Sequence, residues 1–488
     1  MVFNSFEYIF IFLPVAWGVY FVFNRYLGAT VARVALILFS LFFYSYWNPL
    51  YLPLLIISVV INYGIGFSLQ GGIAADAGGM RRKIMLLLGL LFNIGLLGYY
   101  KYSDFLIVNI NAAAGSNIDL LNLLLPLGIS FFTFMQISFL VDSYRGNIKE
   151  TGILPYVQYV TFFPYIVSGP ISRYNEIAPQ FADKEKWTLN HQNISAGILL
   201  FALGLFKKTF IADTLALWAN QGFDTSSTLK FFEAWLTSLS YTFQLYFDFS
   251  GYTDMALGTA LFFNVRLPVN FDSPYRSLSI QDFWRRWHIS LSRFLRDYIY
   301  IPLGGNRAGE FRTSLNVFIT FLVGGIWHGA GWTFILWGMA HGLGLIVQRL
   351  WRRTGIRINR YVSWFITFNF VNAAWVLFRA KDLTGALKVY KGMLGLNGVM
   401  ISASLGKISF LKSLSFEFGE WPAAISKNIT YVMYYIAAAA VIAIFWKNSN
   451  ELSAKYEPGW RWLVFIAIIL GIGLIHVTRI SNFVYANF

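Results

Sequence analysis

The chain has five histidines, and three of them, His288, His328 and His341, fall between residues 288 and 341. Imidazole is the side chain best suited to moving a proton near neutral pH. His328 sits in Gly324-Gly325-Ile326-Trp327-His328-Gly329-Ala330-Gly331-Trp332, between two apolar runs. Glycines let a backbone or a substrate come close, and tryptophans such as Trp327 dry a site while still offering an N–H. A neutral imidazole there could take the proton of an attacking hydroxyl. The bland alternative is a histidine bonded to a carbonyl across a tight helix turn. An ionisable group in a membrane turn, with no carboxylate nearby in sequence, favours function.

His288 lies in a segment running from Ser279 to Arg296. Ser279 followed by Asp282 reads as a helix start of the capping-box kind, and Pro302 cannot continue the helix. At ~100° per residue, Phe283, Trp284, Trp287, Leu291, Phe294, Leu295 and Tyr298 fill one arc of about 120°. Arg285, Arg286, Arg293 and Arg296 take the opposite side. The spacing predicts one basic amphipathic helix over 279–299, of the type that lies at a membrane interface, with His288 turned inward. A helix that only anchors to anionic lipid would explain the arginines and leave His288 unexplained.

His341, in Trp337-Gly338-Met339-Ala340-His341-Gly342, shares its helix with a GxxxG step. That step marks close helix packing, so a structural histidine bonded to a neighbouring helix is the favoured reading. His476 falls in the last apolar run and His191 in a loop, both without supporting context. No HExxH or His-x-x-x-His pair is present in the 288–341 window, which speaks against a metal site. A P-loop and a Gly-x-Ser-x-Gly elbow are also missing. Asp248 and Asp254 are six apart in an apolar setting. They could be a paired acid site, but pairing with arginines that hold the fold is preferred.

These residues need a scaffold, and composition names the solvent that scaffold faces. Charged residues make up 12% of the 488, apolar residues 57% and aromatics 19%. So few charges could not cover a soluble protein of this size, so most of the chain must face a bilayer. A disordered chain is excluded as well. The formal charge of +15 fits cytoplasmic loops and anionic lipid better than nucleic acid, which is not expected as a partner. The absence of cysteine removes thiolate metal sites, disulfides and a Cys nucleophile.

About 20 apolar residues cross a bilayer core. Candidate runs fall near 7–23, 34–48, 50–68, 84–100, 120–141, 153–170, 193–215, 231–247, 314–327, 331–348, 361–378, 431–446 and 462–478. Several are short enough to be re-entrant, giving 11–13 spanning or re-entrant helices. The run from Tyr8 to Phe23 precedes the first basic residue, Arg25, which is unlike a cleaved signal. Arg81-Arg82-Lys83 and the five arginines of 349–360 should both be cytoplasmic. Both termini then fall outside, provided that residues 84–348 contain an even number of crossings. Residues 1–488 read as one membrane domain without internal repeats. Within it, 266–313 is a cytoplasmic or interfacial region, 314–348 a catalytic helix pair and 382–430 an external loop with some helix.

Phe283-Trp284-Arg285-Arg286-Trp287-His288-Ile289-Ser290-Leu291-Ser292, followed by Tyr300-Ile301-Pro302-Leu303-Gly304-Gly305-Asn306-Arg307, resembles the membrane-bound O-acyltransferase family. Trp327-His328-Gly329-Ala330, Trp337-Gly338-Met339-Ala340-His341-Gly342, Phe162-Phe163-Pro164 with Ser168-Gly169-Pro170-Ile171, and the Asp248–Asp254 stretch match as well. The strongest likeness spans about 160–345 and is to the bacterial polysaccharide O-acetyltransferases of the alginate type.

The resemblance implies an all-α ring of helices around a thinned centre, with a tunnel meeting a funnel at the catalytic histidine. It carries that histidine onto His328 and a second, donor-side histidine onto His288. Trp327, His341 and Asp282 are candidates for support. The arginine face of Arg285, Arg286, Arg293 and Arg296 would meet the phosphates of a coenzyme A-type donor or an acidic carrier protein. Acetyl-CoA or another acyl thioester is then a substrate, and no bound cofactor is expected. The implied setting is the bacterial inner membrane, with membrane lipid around the chain. A polysaccharide acceptor and a periplasmic SGNH-type acetyltransferase are the implied partners. Two alternatives stay open: a D-alanyl transferase of the teichoic acid type, and a transporter for an exopolysaccharide or lipid intermediate. The transporter would call for paired broken helices in two repeated halves.

Overall fold

The computed structural model describes residues 1–70, 79–148, 151–307, 309–402, 417–419, 429–477 and 483. Long apolar runs become helices because a chain in lipid must satisfy its own backbone donors and acceptors. They begin with α1 (Tyr8–Tyr26), α2 (Ala29–Ser45), α3 (Pro49–Gln70), α4 (Gly79–Ala114) and α5 (Ile129–Tyr144). Two short helices, α6 (Ile153–Thr161) and α7 (Tyr174–Ala182), precede the long α8 (His191–Thr225) and α9 (Phe231–Phe262). The short α10 (Ile280–Arg286) and α11 (Ile289–Leu295) lead to α12 (Gly309–His328), α13 (Trp332–Arg353) and α14 (Arg360–Arg379). The C-terminal part holds α15 (Leu383–Met393), α16 (Ile429–Ile444), α17 (Ser449–Ala454) and α18 (Trp460–His476). A parallel pair of three-residue strands, Met400–Ser402 and Glu417–Gly419, is the sole sheet among the described residues. The fold is otherwise all-α, as the sequence predicts.

Five helices, α1, α3, α4, α8 and α14, are long and apolar enough to cross a membrane among the described residues; α2, α16 and α18 are shorter apolar helices. The lipid-side character is plain from side chains such as Leu38, Ile57 and Leu91, which lie exposed. α9 is the opposite case: it is buried along nearly its whole length. The run expected to stop near 247 continues to Phe262, carrying Asp248 and Asp254 inside the helix. Lys208 reaches Asp248 (2.6 Å) and Asp213 (2.8 Å), while Lys207 reaches Asp254 (2.7 Å). Among the described residues the ion pairs of the two aspartates are therefore with lysines, where arginines were expected. Where α8 crosses α9, a Cβ on Gly204 would stand 2.5 Å from the carbonyl oxygen of Gly251. Only glycine permits that approach.

Other boundaries also move. The run 153–170 is helical only to Thr161, because Pro164 lacks an N–H and biases Phe163 away from helix. Residues 162–172 are buried as irregular backbone, held by side chains: Phe163 N donates to Ser40 Oγ (3.2 Å) and Ile171 N to Ser290 Oγ (3.0 Å). Irregular backbone at membrane depth is tolerated where protein covers it. The run 120–141 becomes helix only at Ile129, after Pro126 and a left-handed Gly128. The 382–430 stretch opens as helix α15, and its residues 403–416 and 420–428 lie outside the described residues. His191 opens α8, capped by Asn190, instead of lying in a loop.

A chain of contacts links the two basic clusters. Arg82 donates to the carbonyls of Leu69 (3.1 Å) and Tyr144 (3.0 Å), and Arg145 to that of Asp297 (3.3 Å). Arg296 pairs with Asp297 (2.6 Å) and shares one cavity with Glu310, Arg349 and Arg353. These contacts bring the two basic clusters to neighbouring parts of the protein.

Candidate active site

α12 and α13 are joined by a turn over Gly329–Gly331 and pack closely along their length. The approach depends on small residues: a Cβ on Gly325 would sit 2.5 Å from Phe334 O, and one on Gly338 2.5 Å from Phe321 O. This brings His328, the last residue of α12, against Trp337 of α13, with ring centres 5.0 Å apart and edge-on. Phe378 of α14 closes a second side at 5.0 Å, and Trp327 a third at 4.8 Å. His328 is 2% exposed. The aromatic box around it leaves the imidazole little access to solvent.

The helix expected over 279–299 is broken. α10 ends at Arg286, and His288 adopts a left-handed conformation (φ +42°, ψ 56°) before α11 begins. A non-glycine residue in that conformation costs energy and persists only when its surroundings hold it. Asn270 is what holds it. Its backbone carbonyl accepts from Ile289 N (3.0 Å), and its side-chain oxygen accepts from Ser290 N (3.1 Å) and Ser290 Oγ (2.9 Å). The apolar arc stays inward across the break: Phe283, Trp284, Trp287, Leu291, Phe294 and Leu295 are all buried. Periodicity placed these faces correctly but carries no signal for a kink.

Hydrogen bonds fix the tautomers of two histidines. Nδ1 of His288 lies 3.1 Å from Asn270 Oδ1. The bond from Ser290 N identifies that Asn270 atom as oxygen, so Nδ1 of His288 donates and Nε2 of the neutral ring keeps its lone pair. In His341 the roles reverse. The indole Nε1 of Trp284 can only donate, and it reaches His341 Nδ1 at 3.2 Å, so the His341 proton resides on Nε2. His341 is therefore bonded to a neighbouring helix, as its GxxxG setting suggests. The three imidazoles are joined through tryptophans. Trp327 lies 6.4 Å from the His288 ring and 4.8 Å from that of His328, and Trp337 lies 5.0 Å from His328 and 4.8 Å from His341. Among the described residues no three His, Asp or Glu side chains converge as a metal site would need.

A cavity of about 850 Å³ opens on the arginine face. Arg285, Arg293, Arg296, Arg349, Arg352 and Arg353 line it against one carboxylate, Glu310. Several of these cations are engaged: Arg293 with Glu176, Arg296 with Asp297, and Arg349 and Arg353 with Glu310. Arg352 donates to Gln281 Oε1 (3.1 Å), and Arg285 has no hydrogen bond or ion pair among the described residues. Arg286 departs from the expected set. It turns away to Asp282 (3.0 Å) and Asp272 (3.5 Å) and does not line the cavity. Asp282 is thereby a helix-start residue, its N–H bonded to Ser279 Oγ (3.1 Å), and not a neighbour of the histidines. At the inner end of the cavity stand Trp284 and Phe321, with ring centres 4.9 Å apart. His341 lies immediately behind Trp284.

Two residues were not singled out from the sequence. Asn270 carries no signal, because nothing in Val269-Asn270-Phe271 distinguishes it from any loop asparagine. Lys101 had one: it is a charge at the end of the apolar run 84–100 and belongs to a spanning helix. Its Nζ donates to the carbonyl of Trp327 (2.6 Å) and to Ser130 Oγ (3.2 Å).

Comparison with known proteins supplies the family. Residues 41–380 match the membrane-bound O-acyltransferase family. The chain is 43% identical to the peptidoglycan O-acetyltransferase of Helicobacter pylori, over 100% of this chain and 98% of that protein. It is 41% identical to the probable alginate O-acetylase AlgI of Pseudomonas syringae, over 80% of this chain and 75% of the relative. The corresponding Pseudomonas aeruginosa protein is 40% identical, with the same two coverages. With its apolar helices and buried histidines accounted for, the chain belongs to the membrane-bound O-acyltransferase family, as a multi-pass membrane enzyme of the polysaccharide O-acetyltransferase type.

Proposed function

We propose that this enzyme moves an acetyl group from a cytoplasmic thioester, acetyl-CoA or an acyl carrier, to a hydroxyl of a polysaccharide outside the inner membrane. Transfer goes directly or through a periplasmic SGNH-type acetyltransferase. The observation that carries the reading is the order of groups inward from one face: an arginine-lined cavity, then Trp284 and His341, then the buried aromatic box around His328. The cavity rim suits donor phosphates, and its apolar inner end suits the pantetheine arm. His328 accepts the proton of the acceptor hydroxyl as the oxygen attacks the thioester carbon. The C–O bond forms, the C–S bond breaks, and the proton passes from the imidazolium to the leaving thiolate. His288, buried beside Trp327 with its Nδ1 held by Asn270, orients the donor or the incoming hydroxyl.

The arginine face is cytoplasmic in this reading, and both termini are outside. The acceptor is a cell-envelope polysaccharide. An exopolysaccharide of alginate type and peptidoglycan are the two polymers that the relatives' names suggest.

The test is to express His328→Ala at the wild-type level in the host. Base-releasable acetate is then measured on isolated sacculi and on secreted polysaccharide. Loss of a positioned base costs ~10²–10⁴-fold in rate, so acetate on one of the two polymers should fall to background. Unchanged acetate on both would overturn the proposal, and the polymer that loses acetate identifies the acceptor.

A further inference from the structure

We propose that Lys101 is a positioning residue for His328, an inference that rests on His328 being the reactive histidine. Lysines on spanning helices ordinarily extend their side chains to reach water and headgroups. Lys101 turns inward instead. Its Nζ reaches the carbonyl oxygen of Trp327 at 2.6 Å and Ser130 Oγ at 3.2 Å, and stands 5.7 Å from the centre of the Trp327 ring. No carboxylate is within ion-pair distance of it among the described residues. An amino group that gives up water for two neutral acceptors is poorly explained by stability alone.

What it holds is specific. The Trp327 carbonyl belongs to the peptide unit that leads into His328, at the C-terminal end of α12. The last carbonyls of a helix lack intrahelical partners and carry the negative end of its dipole, so a cation binds there favourably. The next residue of α4 does related work one step earlier: the hydroxyl of Tyr102 donates to Ile326 O (2.5 Å). The indole of Trp327 is fixed independently, stacked on Phe134 (4.8 Å), which stacks on Phe294 (3.9 Å). Peptide and side chain of Trp327 are thus gripped from two directions. The imidazole one residue on inherits a single position between Trp337 and Phe378. Ser130 ties the same ammonium to α5, so three helices meet at one nitrogen.

Misplacing a reacting group by about 1 Å can cost ~10²-fold. Lys101→Met, Lys101→Arg, Tyr102→Phe and His328→Ala are compared in host membranes, which retain any partner, at matched protein levels. Radiolabelled acetyl-CoA is the donor probe, titrated to saturation. Lys101→Met is expected to lower the maximal rate ~10–10²-fold with the donor KM within twofold of wild type. Lys101→Arg, which keeps a cation and its donors, should recover most of the rate, and Tyr102→Phe should retain at least half. A normal maximal rate in Lys101→Met would overturn the proposal. Equal losses in Lys101→Met and Tyr102→Phe would also overturn it, since both residues would then merely hold the helix end. Absence of folded, monodisperse protein in both lysine variants would place Lys101 among fold-holding groups and overturn it too. His328→Ala separates the two readings. If it is inactive while Lys101→Met is normal, only the Lys101 proposal fails. If it is active, the catalytic reading fails first.

Discussion

Asn270 and His288, eighteen residues apart, are joined by a 3.1 Å contact between Asn270 Oδ1 and His288 Nδ1. The same oxygen accepts two further hydrogen bonds from Ser290. One amide therefore sets the tautomer of the histidine and stabilises the left-handed backbone that presents it. Asn270→Ala should lower transfer at saturating donor roughly tenfold or more, short of the ~10²–10⁴ expected for loss of a positioned base. A donor titration on membranes carrying the variant checks it, and an unchanged maximal rate would detach His288 from the chemistry.

His288→Ala and Arg285→Ala should separate turnover from donor binding. The histidine is buried among aromatic rings, whereas Arg285 is exposed on the cavity wall. His288→Ala should reduce the maximal rate. Arg285→Ala and Arg352→Ala should raise the donor KM several-fold with the maximal rate nearly intact, and the effect should shrink at high salt as exposed charges are screened. Arg293→Ala should add a stability loss, because Arg293 also ties α11 to Glu176 of α7. Titrations at two ionic strengths, with thermal unfolding of each variant, read all four.

Gly338→Ala should be costly out of proportion to one methyl group. Its Cβ would meet the Phe321 carbonyl at 2.5 Å and Gly325 Cα at 3.0 Å, both backbone atoms that cannot move aside. Overpacking of this kind costs about 1–3 kcal/mol. A lowered thermal midpoint in detergent, together with reduced transfer as Trp337 shifts against His328, is the expected result. Gly18→Ala, where the new methyl group would meet nothing within 4 Å, should change neither.

Asp248→Ala should damage the fold and not the donor kinetics. Lys208 is 1% exposed and bonded to Asp248 and Asp213 deep between α8 and α9. The change removes one buried charge-assisted hydrogen bond, about 1.5–3 kcal/mol, and leaves Lys208 only Asp213 of the two carboxylates. Loss of the monodisperse peak on size exclusion is expected, and any folded fraction should keep a normal donor KM.

Cysteines introduced beside Arg82 and Arg353 should react alike with a membrane-impermeant reagent. The contacts from Arg82 through Tyr144, Arg145 and Asp297 to the arginine cavity bring them to neighbouring parts of the protein. Both are expected to be protected in intact cells and labelled after permeabilisation. Opposite labelling of the two positions would contradict the fold, and labelling of both from outside would reverse the proposed orientation.

Composition alone required a bilayer for this chain, because 12% charged residues cannot cover a soluble protein of 488. Spacing singled out His288, His328 and His341, and the 100° periodicity assigned the buried face around His288 correctly and three of the four arginines to the cavity side, with Arg286 the exception. These are local properties, written in residues a few positions apart. Tertiary structure decided what depends on distant partners. The turn at His288 follows from Asn270, and the continuation of α9 past Asp248 follows from Lys207 and Lys208. The division of the arginines into engaged and open depends on Glu176, Asp297 and Glu310. The grip of Lys101 on Trp327 joins residues 226 apart. Periodicity tells which side of a helix is buried but not which remote group it meets, and at this site the remote groups set proton positions and charge.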